Sequence, residues 1–167
     1  KQGTPILLST GYSSFDEIKI SIDLFNQYSK KDITILHCIS RYPTPVELVN
    51  LRVIPELINK FNYPVGFSDH TIGNDCSIAA VAMGASVIEK HVTLDKGQQG
   101  PDHQASTTIK EFAELVISIR NLELAMGKPD KVIGNEEKKV ALFARKSIVS
   151  TREIKEGEII NSEMLCY

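Results

Sequence analysis

The repeated alternation of short apolar segments with longer segments of helical spacing limits the possible folds more than any other feature of the sequence. Each short segment has the length and β-branched content of a strand, and each longer one places apolar residues three or four apart. This alternation is typical of βα units, whose strands run parallel in one sheet. The sequence therefore predicts an α/β fold with four βα units, whose strands cover residues 5–11, 33–38, 65–70 and 86–92.

Start and stop signals define the intervening helices. Ser14, with acidic residues directly after it, predicts the start of the first helix, which should end near Lys30 and Lys31. Pro55 predicts a kink in the second helix or a split into two short ones. Gly127 predicts the end of the fourth helix. The predicted helices cover residues 14–31, 48–58, 75–83 and 109–126.

The character of the sequence changes after the fourth helix. Residues 1–128 are predicted to form the βα domain, residues 129–144 are polar and charged like a linker, and residues 145–167 begin a second domain with a turn at Glu156 and Gly157. That last segment is too short to build a core of its own. Because the sequence starts without Met and runs straight into an apolar strand, we expect a piece of a longer protein.

Charge and composition exclude several classes of partner. Lys and Arg number 19 against 21 Asp and Glu, so the net charge is −2 and no broad basic surface is available to bind a phosphate backbone. The apolar runs are far shorter than the roughly 20 residues that cross a bilayer. Three widely spaced cysteines without a CxxC pair favour a reducing compartment. We therefore expect a cytoplasmic protein that binds neither nucleic acid nor membranes.

Polar residues stand at the carboxyl ends of all four predicted strands. Parallel strands buried on both faces normally consist of apolar residues, so these polar ends need an explanation. In α/β folds, active sites form at the carboxyl ends of the strands. The sequence therefore predicts one shared site, built from Ser9 and Thr10, from His37, Cys38 and Ser40, from Ser68, Asp69 and His70, and from Glu89, Lys90 and His91.

Two of these histidines, His70 and His91, indicate a metal site. Side chains alternate across a strand, so Ser68 and His70 share one face, as do Glu89 and His91. If both faces point into a barrel, the two imidazoles converge, and imidazole is a ligand for Mn, Fe, Zn or Co. Water and substrate oxygens would occupy the remaining positions, with Glu89 as a ligand orienter or a general acid or base. The alternative is that each histidine is a core or loop residue hydrogen-bonded to the backbone.

Four motifs resemble the sialic acid synthase family. They are Leu-His-Cys-Ile-Ser-Arg-Tyr-Pro-Thr-Pro at 36–45, Gly-Phe-Ser-Asp-His-Thr at 66–71, Ile-Glu-Lys-His at 88–91 and Gly-Pro-Asp-His at 100–103. The resemblance runs in order over nearly the whole chain. It implies the second half of a (β/α)8 TIM barrel, strands five to eight, then a linker and the start of an antifreeze-like (SAF) domain.

The resemblance also implies roles for individual residues. His70 and His91 match the metal ligands of the family, with Mn²⁺ expected and Mg²⁺ or Co²⁺ as alternatives, and Glu89 matches its catalytic glutamate. The positions that match substrate-binding residues are Ser9, Ser40, Tyr42, Ser68 and Asp102.

Simpler explanations exist for several substrate positions. Tyr42 could pack its ring under the loop, Asp102 could be a turn residue after a proline, and Ser9 could belong to a tight turn. Ser40 stands where some family members have Asn, which would weaken its contact or route it through water. For His37 and His103 a scaffold role is expected.

The resemblance implies a transferase that condenses phosphoenolpyruvate with N-acetylmannosamine to give N-acetylneuraminate and phosphate. Alternatives within the family are a legionaminic or pseudaminic acid synthase and a homologue that acts in spore-coat polysaccharide synthesis. Alternatives of a different kind are a non-catalytic sugar-phosphate binding module that retains the barrel and a generic divalent-metal aldolase on a TIM barrel. The sequence also offers no lysine for an aldolase that works through a Schiff base, because Lys90 lies on the opposite face of its strand to His91. On the same alternation Asp69, opposite His70, should have a structural role.

The resemblance also bears on assembly. The full-length protein is expected to be a domain-swapped homodimer. The 167 residues alone should have negligible synthase activity, because a phosphate-binding lysine and a second glutamate of the family would lie outside them.

Overall fold

A computed structural model describes residues 4–28, 32–100 and 102–167. The chain divides into two compact units, the first ending at Gly127 and the second starting at Lys128. Within the described ranges, no helix is both long enough and apolar enough to span a membrane.

The first unit is built on a four-stranded parallel sheet. Its strands are β1 (Ile6–Ser9), β2 (Ile33–Cys38), β3 (Val65–Asp69) and β4 (Ile88–Lys90), and they lie side by side in chain order. All three pairings are parallel. The prediction of an α/β fold with four consecutive parallel strands is confirmed, although each strand is shorter than or equal to the predicted segment.

Helices follow the strands as predicted, with differences at their ends. They are α1 (Phe15–Tyr28), α2 (Val53–Phe61), α3 (Asp75–Ala82) and α4 (Ile109–Met126). The predicted end of the first helix at Lys30 and Lys31 lies outside the described residues. The predicted split occurs before Pro55: a 3-10 helix at Val46–Leu48 precedes α2, and Pro55 occupies the first turn of α2, where its missing N–H has no helical partner to lose.

The core of the first unit lies between the sheet and the helices. Alternate strand residues contribute to it, including Ile33 and Ile35 of β2 and Val65 and Phe67 of β3, and they pack against α1, α2 and α3. The opposite face of the sheet is more open at β1, where the side chain of Leu7 is 53% exposed. One buried face with helices and one face with polar strand ends resembles part of a TIM barrel.

A short parallel ladder follows β4. Strand β5 (Val92–Thr93) pairs with β6 (Thr107–Thr108), and His91 O accepts a hydrogen bond of 2.8 Å from Thr107 N. The polar segment from Asp95 to Ser106, predicted as a loop, connects these two strands. Helix α4 starts directly after β6 with a capping box, in which the side chains of Thr108 and Glu111 each bind the other residue's backbone N–H. The site residue His91 is thereby held between two ordered strands.

The second unit contains a helix and a small hairpin-like pair. Helix α5 (Asn135–Ala144) lies in the segment that was predicted as a linker, and its first turn carries Glu136 and Glu137, which favour a helix start. Strands β7 (Val149–Ser150) and β8 (Leu165–Cys166) pair antiparallel. The predicted turn at Glu156 and Gly157 is present, with Gly157 at φ +84°. The assignment of this segment to an antifreeze-like domain stays a prediction.

Candidate functional site

The two histidines lie at the carboxyl ends of neighbouring strands. His70 directly follows β3 and His91 directly follows β4, and their ring centroids are 5.4 Å apart with the rings nearly perpendicular. In the strand register Ser68 is level with Glu89, so the two residues that precede the histidines by two positions are also neighbours. The structure thus brings these four side chains together at the carboxyl ends of β3 and β4.

Ser68 and Glu89 are joined directly. Ser68 is 3% exposed, and its Oγ donates a hydrogen bond of 2.6 Å to Glu89 Oε1. Ser68 Oγ is also 3.4 Å from His70 Nε2, but a hydroxyl has one proton, and the shorter contact to the carboxylate takes it. Ser68 therefore orients the carboxylate of Glu89 and leaves His70 Nε2 without a strong donor from this side.

The other ring nitrogen of His70 fixes its tautomer. His70 Nδ1 lies 2.8 Å from the carbonyl oxygen of Ile39, which can only accept, so Nδ1 carries a proton and donates it. In a neutral ring Nε2 then bears the lone pair. This arrangement is the one usually found for a metal-binding imidazole, in which a backbone carbonyl holds the non-ligating nitrogen.

The loop after β2 lies against the two imidazoles. The ring of Tyr42 is centred 4.2 Å from that of His70 and 5.6 Å from that of His91. Thr44 anchors the loop, since its N–H donates to His70 O at 2.9 Å and its hydroxyl donates to Arg41 O at 2.6 Å. Burial, followed by the nearby Cys38, Tyr12, Asp102 and Glu89, raises the pKa of the Tyr42 phenol. Tyr42 thus stays a neutral donor beside the histidines, with 48% of it exposed.

Ser40 is held from the turn after β1. Tyr12 Oη donates a hydrogen bond of 2.8 Å to Ser40 O. A Cβ atom on Gly11 would lie 2.0 Å from Ser40 Oγ and 3.2 Å from Cys38 Sγ, so only glycine fits there beside the serine in this position. Sequence reasoning missed both Gly11 and Tyr12 as supporting residues. A glycine in the turn after the first strand of an α/β fold is the signal that could have identified Gly11.

Asp102 and Ser9 are less closely associated with the cluster. Asp102 Oδ2 is 3.9 Å from His91 Nδ1, which is beyond hydrogen-bond distance, and both side chains are partly exposed. Ser9 is the last residue of β1 and is exposed. It is paired with Leu36, which lies two residues before Cys38, the partner of Ser68 in the strand register. No hydrogen bond between Ser9 and the cluster is found in the described ranges.

The two other histidines have structural contacts. His37 is buried and donates from Nε2 to Val49 O at 2.7 Å, and burial lowers the pKa of its imidazole. His103 Nδ1 lies 2.8 Å from Thr93 Oγ1. These contacts agree with the scaffold role predicted for both.

The imidazoles of His70 and His91 are suitable ligands for a divalent transition metal whose other coordination positions are open. In the ranges that the structure describes, no group of three or more His, Cys, Asp or Glu side chains is arranged to hold a metal ion. His70 and His91 are the two imidazoles that could hold a metal ion here, and the free Nε2 of His70 fits that use. Two imidazoles suit Mn, Fe, Co or Zn better than Ca²⁺, which takes oxygen ligands.

A parallel sheet with helices on one face and a polar cluster at the carboxyl ends of its strands makes this an α/β protein that resembles part of a TIM barrel. The model of the NeuB family matches residues 1–131. The chain belongs to the NeuB family, which confirms the resemblance to sialic acid synthases.

Relatives with named products are similar over almost the whole chain. The N,N'-diacetyllegionaminic acid synthase of Campylobacter jejuni is 43% identical over 96% of this chain and 49% of its own length. The N-acetylneuraminate-9-phosphate synthase of Homo sapiens is 41% identical over 99% of this chain and 46% of its own. The chain spans about half the length of the curated relatives it matches.

A solved structure agrees with these relatives. The N-acetylneuraminic acid synthetase of Leptospira borgpetersenii, crystallised with citrate, has a TM-score of 0.74 and 34% identity. The match covers 82% of this chain and 48% of that one. The half-barrel fold is therefore shared with a nonulosonic acid synthase of known structure.

Proposed function

We propose that the protein containing this chain condenses phosphoenolpyruvate with an N-acetylmannosamine-type aldehyde, giving a nine-carbon 2-keto sugar acid and phosphate. Carbon 3 of phosphoenolpyruvate attacks the aldehyde carbon, water adds at carbon 2, and the bond from carbon 2 to the phosphate oxygen breaks. The observation that supports this proposal most is the cluster of Tyr42, Ser68, His70, Glu89 and His91 at the strand ends, in a member of the NeuB family.

We also propose that His70 and His91 hold a divalent cation, with Mn²⁺ as the first candidate. Such a cation would supply Lewis-acid polarisation of the aldehyde oxygen. The Nδ1–H of His70, held by Ile39 O, keeps Nε2 available for this role. Because only two protein ligands are involved, positions remain for water and for substrate oxygens.

The other residues of the cluster bind substrate and move protons in this proposal. Glu89, oriented by Ser68, is placed to take a proton from water or to return one to the sugar oxygen. The neutral phenol of Tyr42 donates to phosphoenolpyruvate together with Ser40. Asp102 accepts from sugar hydroxyls, and its carboxylate is exposed enough to do so.

A chimera tests the proposal. These 167 residues would replace the matching half of the Campylobacter synthase, and phosphate release and product mass would be measured with Mn²⁺ and phosphoenolpyruvate. We expect turnover by the chimera, loss of turnover in its His70→Ala and Glu89→Gln variants, and no turnover by the 167-residue chain alone. A folded chimera that binds phosphoenolpyruvate but releases no phosphate with any sugar would favour a non-catalytic binding module.

The sugar is a separate question. The relatives are named for a legionaminic acid, for N-acetylneuraminate 9-phosphate and for N-acetylneuraminate, at comparable identities. N-acetylmannosamine is our first candidate, with the 2,4-diacetamido-6-deoxy sugar as the alternative. The ratio of kcat/KM for the two sugars, compared between the chimera and the parent Campylobacter synthase, identifies any preference that this half of the protein carries, since the other half is the same in both.

A further inference from the structure

A buried ion pair lies on the face of the sheet opposite to the site. Lys90 Nζ is 2.9 Å from Asp69 Oδ2, and the two side chains are 1% and 0% exposed. Lys90 Nζ also donates to Thr71 O at 3.0 Å. Lys90 belongs to β4 and Asp69 to β3, and the two are level in the strand register. The ammonium group therefore binds β4 to the end of β3 through two acceptors.

The carboxylate of Asp69 is held from several sides. Thr71 donates to Oδ1 from its N–H at 2.8 Å and from its hydroxyl at 2.7 Å. Ser77 of α3 donates to Oδ2 at 2.5 Å. The pair is thus part of a hydrogen-bonded network that joins two strands, the turn after β3 and a helix, which restricts its geometry.

Each member of the pair directly precedes one of the two imidazoles. Asp69 is followed by His70 and Lys90 by His91, and adjacent residues of a strand point to opposite faces. Fixing Asp69 and Lys90 on one face therefore fixes where the backbone presents His70 and His91 on the other. A relative shift of the two strand ends would change the ring separation of 5.4 Å directly.

The use of charges at this position requires an explanation. Removing an ammonium group and a carboxylate from water has a large desolvation cost for each, and well-packed apolar residues in their place often give a protein that is as stable or more so. Apolar contacts tolerate small shifts, whereas the hydrogen bonds that Lys90 donates weaken when their distances and angles change. A network of this kind is suited to setting a geometry more than to adding stability.

We propose that the buried pair of Lys90 and Asp69 positions the two imidazoles, setting their separation for a shared divalent cation. This inference rests on the metal site of the proposed function. Lys90 and Asp69 are positioning residues, since neither faces the imidazole side of the sheet.

The inference is tested by measuring Mn²⁺ binding to the 167-residue chain. The loss of the EPR signal of free Mn²⁺ reports the binding. Lys90→Met removes the ammonium group and keeps a similar length. We expect its Mn²⁺ affinity to fall by roughly tenfold or more, which is the usual effect of losing a residue that orients a ligand. Affinity within twofold of the parent, at an equal folded fraction, would overturn the inference.

Two further variants separate positioning from stability. The double variant Asp69→Asn/Lys90→Met leaves no unpaired buried charge, so it should regain thermal stability relative to Lys90→Met. Its Mn²⁺ affinity should remain low, because the link between the strands is still absent. Val65→Ala, at the opposite end of β3, is the matched control: it removes buried volume, and it should lower stability and leave affinity unchanged. Affinity that follows stability in all three would contradict positioning.

A readout without metal separates the two proposals. The ¹⁵N signals of the His70 and His91 rings should change in Lys90→Met and in the double variant, and should stay as in the parent in Val65→Ala. If the parent and its His70→Ala variant bind Mn²⁺ equally, the metal site fails, and the ring signals alone decide the positioning role. Unchanged ring signals in Lys90→Met would overturn that role.

Discussion

Ser68 Oγ and Glu89 Oε1 are 2.6 Å apart, which makes a direct link between neighbouring strands at the level just below the two imidazoles. The serine is buried and the glutamate is exposed, so the hydrogen bond from the buried serine orients the carboxylate. A general acid or base works only when it is within reach of the proton that it transfers. The serine therefore prepares the glutamate for its proposed role.

Replacing Ser68 by Ala should lower turnover of the chimera. The carboxylate of Glu89 loses its orienting donor, and loss of such a partner typically costs about 10- to 100-fold. Steady-state phosphate release at saturating Mn²⁺ measures the effect. Ser86→Ala is the matched control, since Ser86 Oγ donates to Val65 O at 3.1 Å at the far end of the same strand pair. Equal rates in the two variants would argue against a role for the link.

Asp102→Asn should raise KM for the sugar and leave KM for phosphoenolpyruvate unchanged. Asp102 stands 3.9 Å from His91 and is half exposed, so its carboxylate is open to a sugar hydroxyl. Loss of a hydrogen bond to a charged group corresponds to roughly a 10- to 100-fold change. Asp95→Asn is the control, because Asp95 Oδ1 accepts from Gly97 N at 2.8 Å within the same loop. A rise in both KM values would contradict a role of Asp102 in binding the sugar alone.

Gly11→Ala should displace Ser40. The new methyl group would stand 2.0 Å from Ser40 Oγ, so the serine or the turn after β1 must shift, at a cost of about 1–3 kcal/mol in the free energy of unfolding. Urea denaturation measures the loss. The double variant Gly11→Ala/Ser40→Ala removes the nearest clashing atom and should recover most of the stability. If it does not, the strain arises at another contact, with the thiol of Cys38 as the first candidate.

The site residues that share a face of each strand could be predicted from the sequence, because this depends only on the alternation of side chains along β3 and β4. The bounds of α4 were also predictable, since Thr108, Glu111 and Gly127 are strong local signals. Local rules of this kind act over a few residues. They place Ser68 with His70 on one face of β3, and Glu89 with His91 on one face of β4.

Contacts between strands were not predictable in the same way. The bonds from Ser68 to Glu89 and from Lys90 to Asp69 depend on the register of β3 against β4, which the packing of the whole unit sets. The position of Tyr42 over His70 depends on the loop that Thr44 anchors. The pairing of β5 with β6 involves strands of two residues, too short for any periodic pattern.

Glu111→Gln should destabilise the first unit at neutral pH. A hydrogen bond from Lys96, followed by the bonds from the backbone and side chain of Thr108, lowers the pKa of Glu111 to about 2. A carboxylate whose pKa is lower in the folded than in the unfolded protein adds stability above its unfolded pKa. That stability is lost as the pH falls through the folded value. The carboxylate is exposed, so the effect should shrink with added salt.

The difference in stability between the parent and Glu111→Gln should therefore be constant above about pH 5 and should decline between about pH 4.5 and pH 2. Thermal unfolding of both proteins across this range measures it, and the subtraction removes the contribution of other carboxylates. Lys96→Met removes the largest cause of the shift and should reduce the pH dependence without abolishing it, because the capping box with Thr108 remains. A difference that does not change with pH would mean that Glu111 acts only through its neutral contacts.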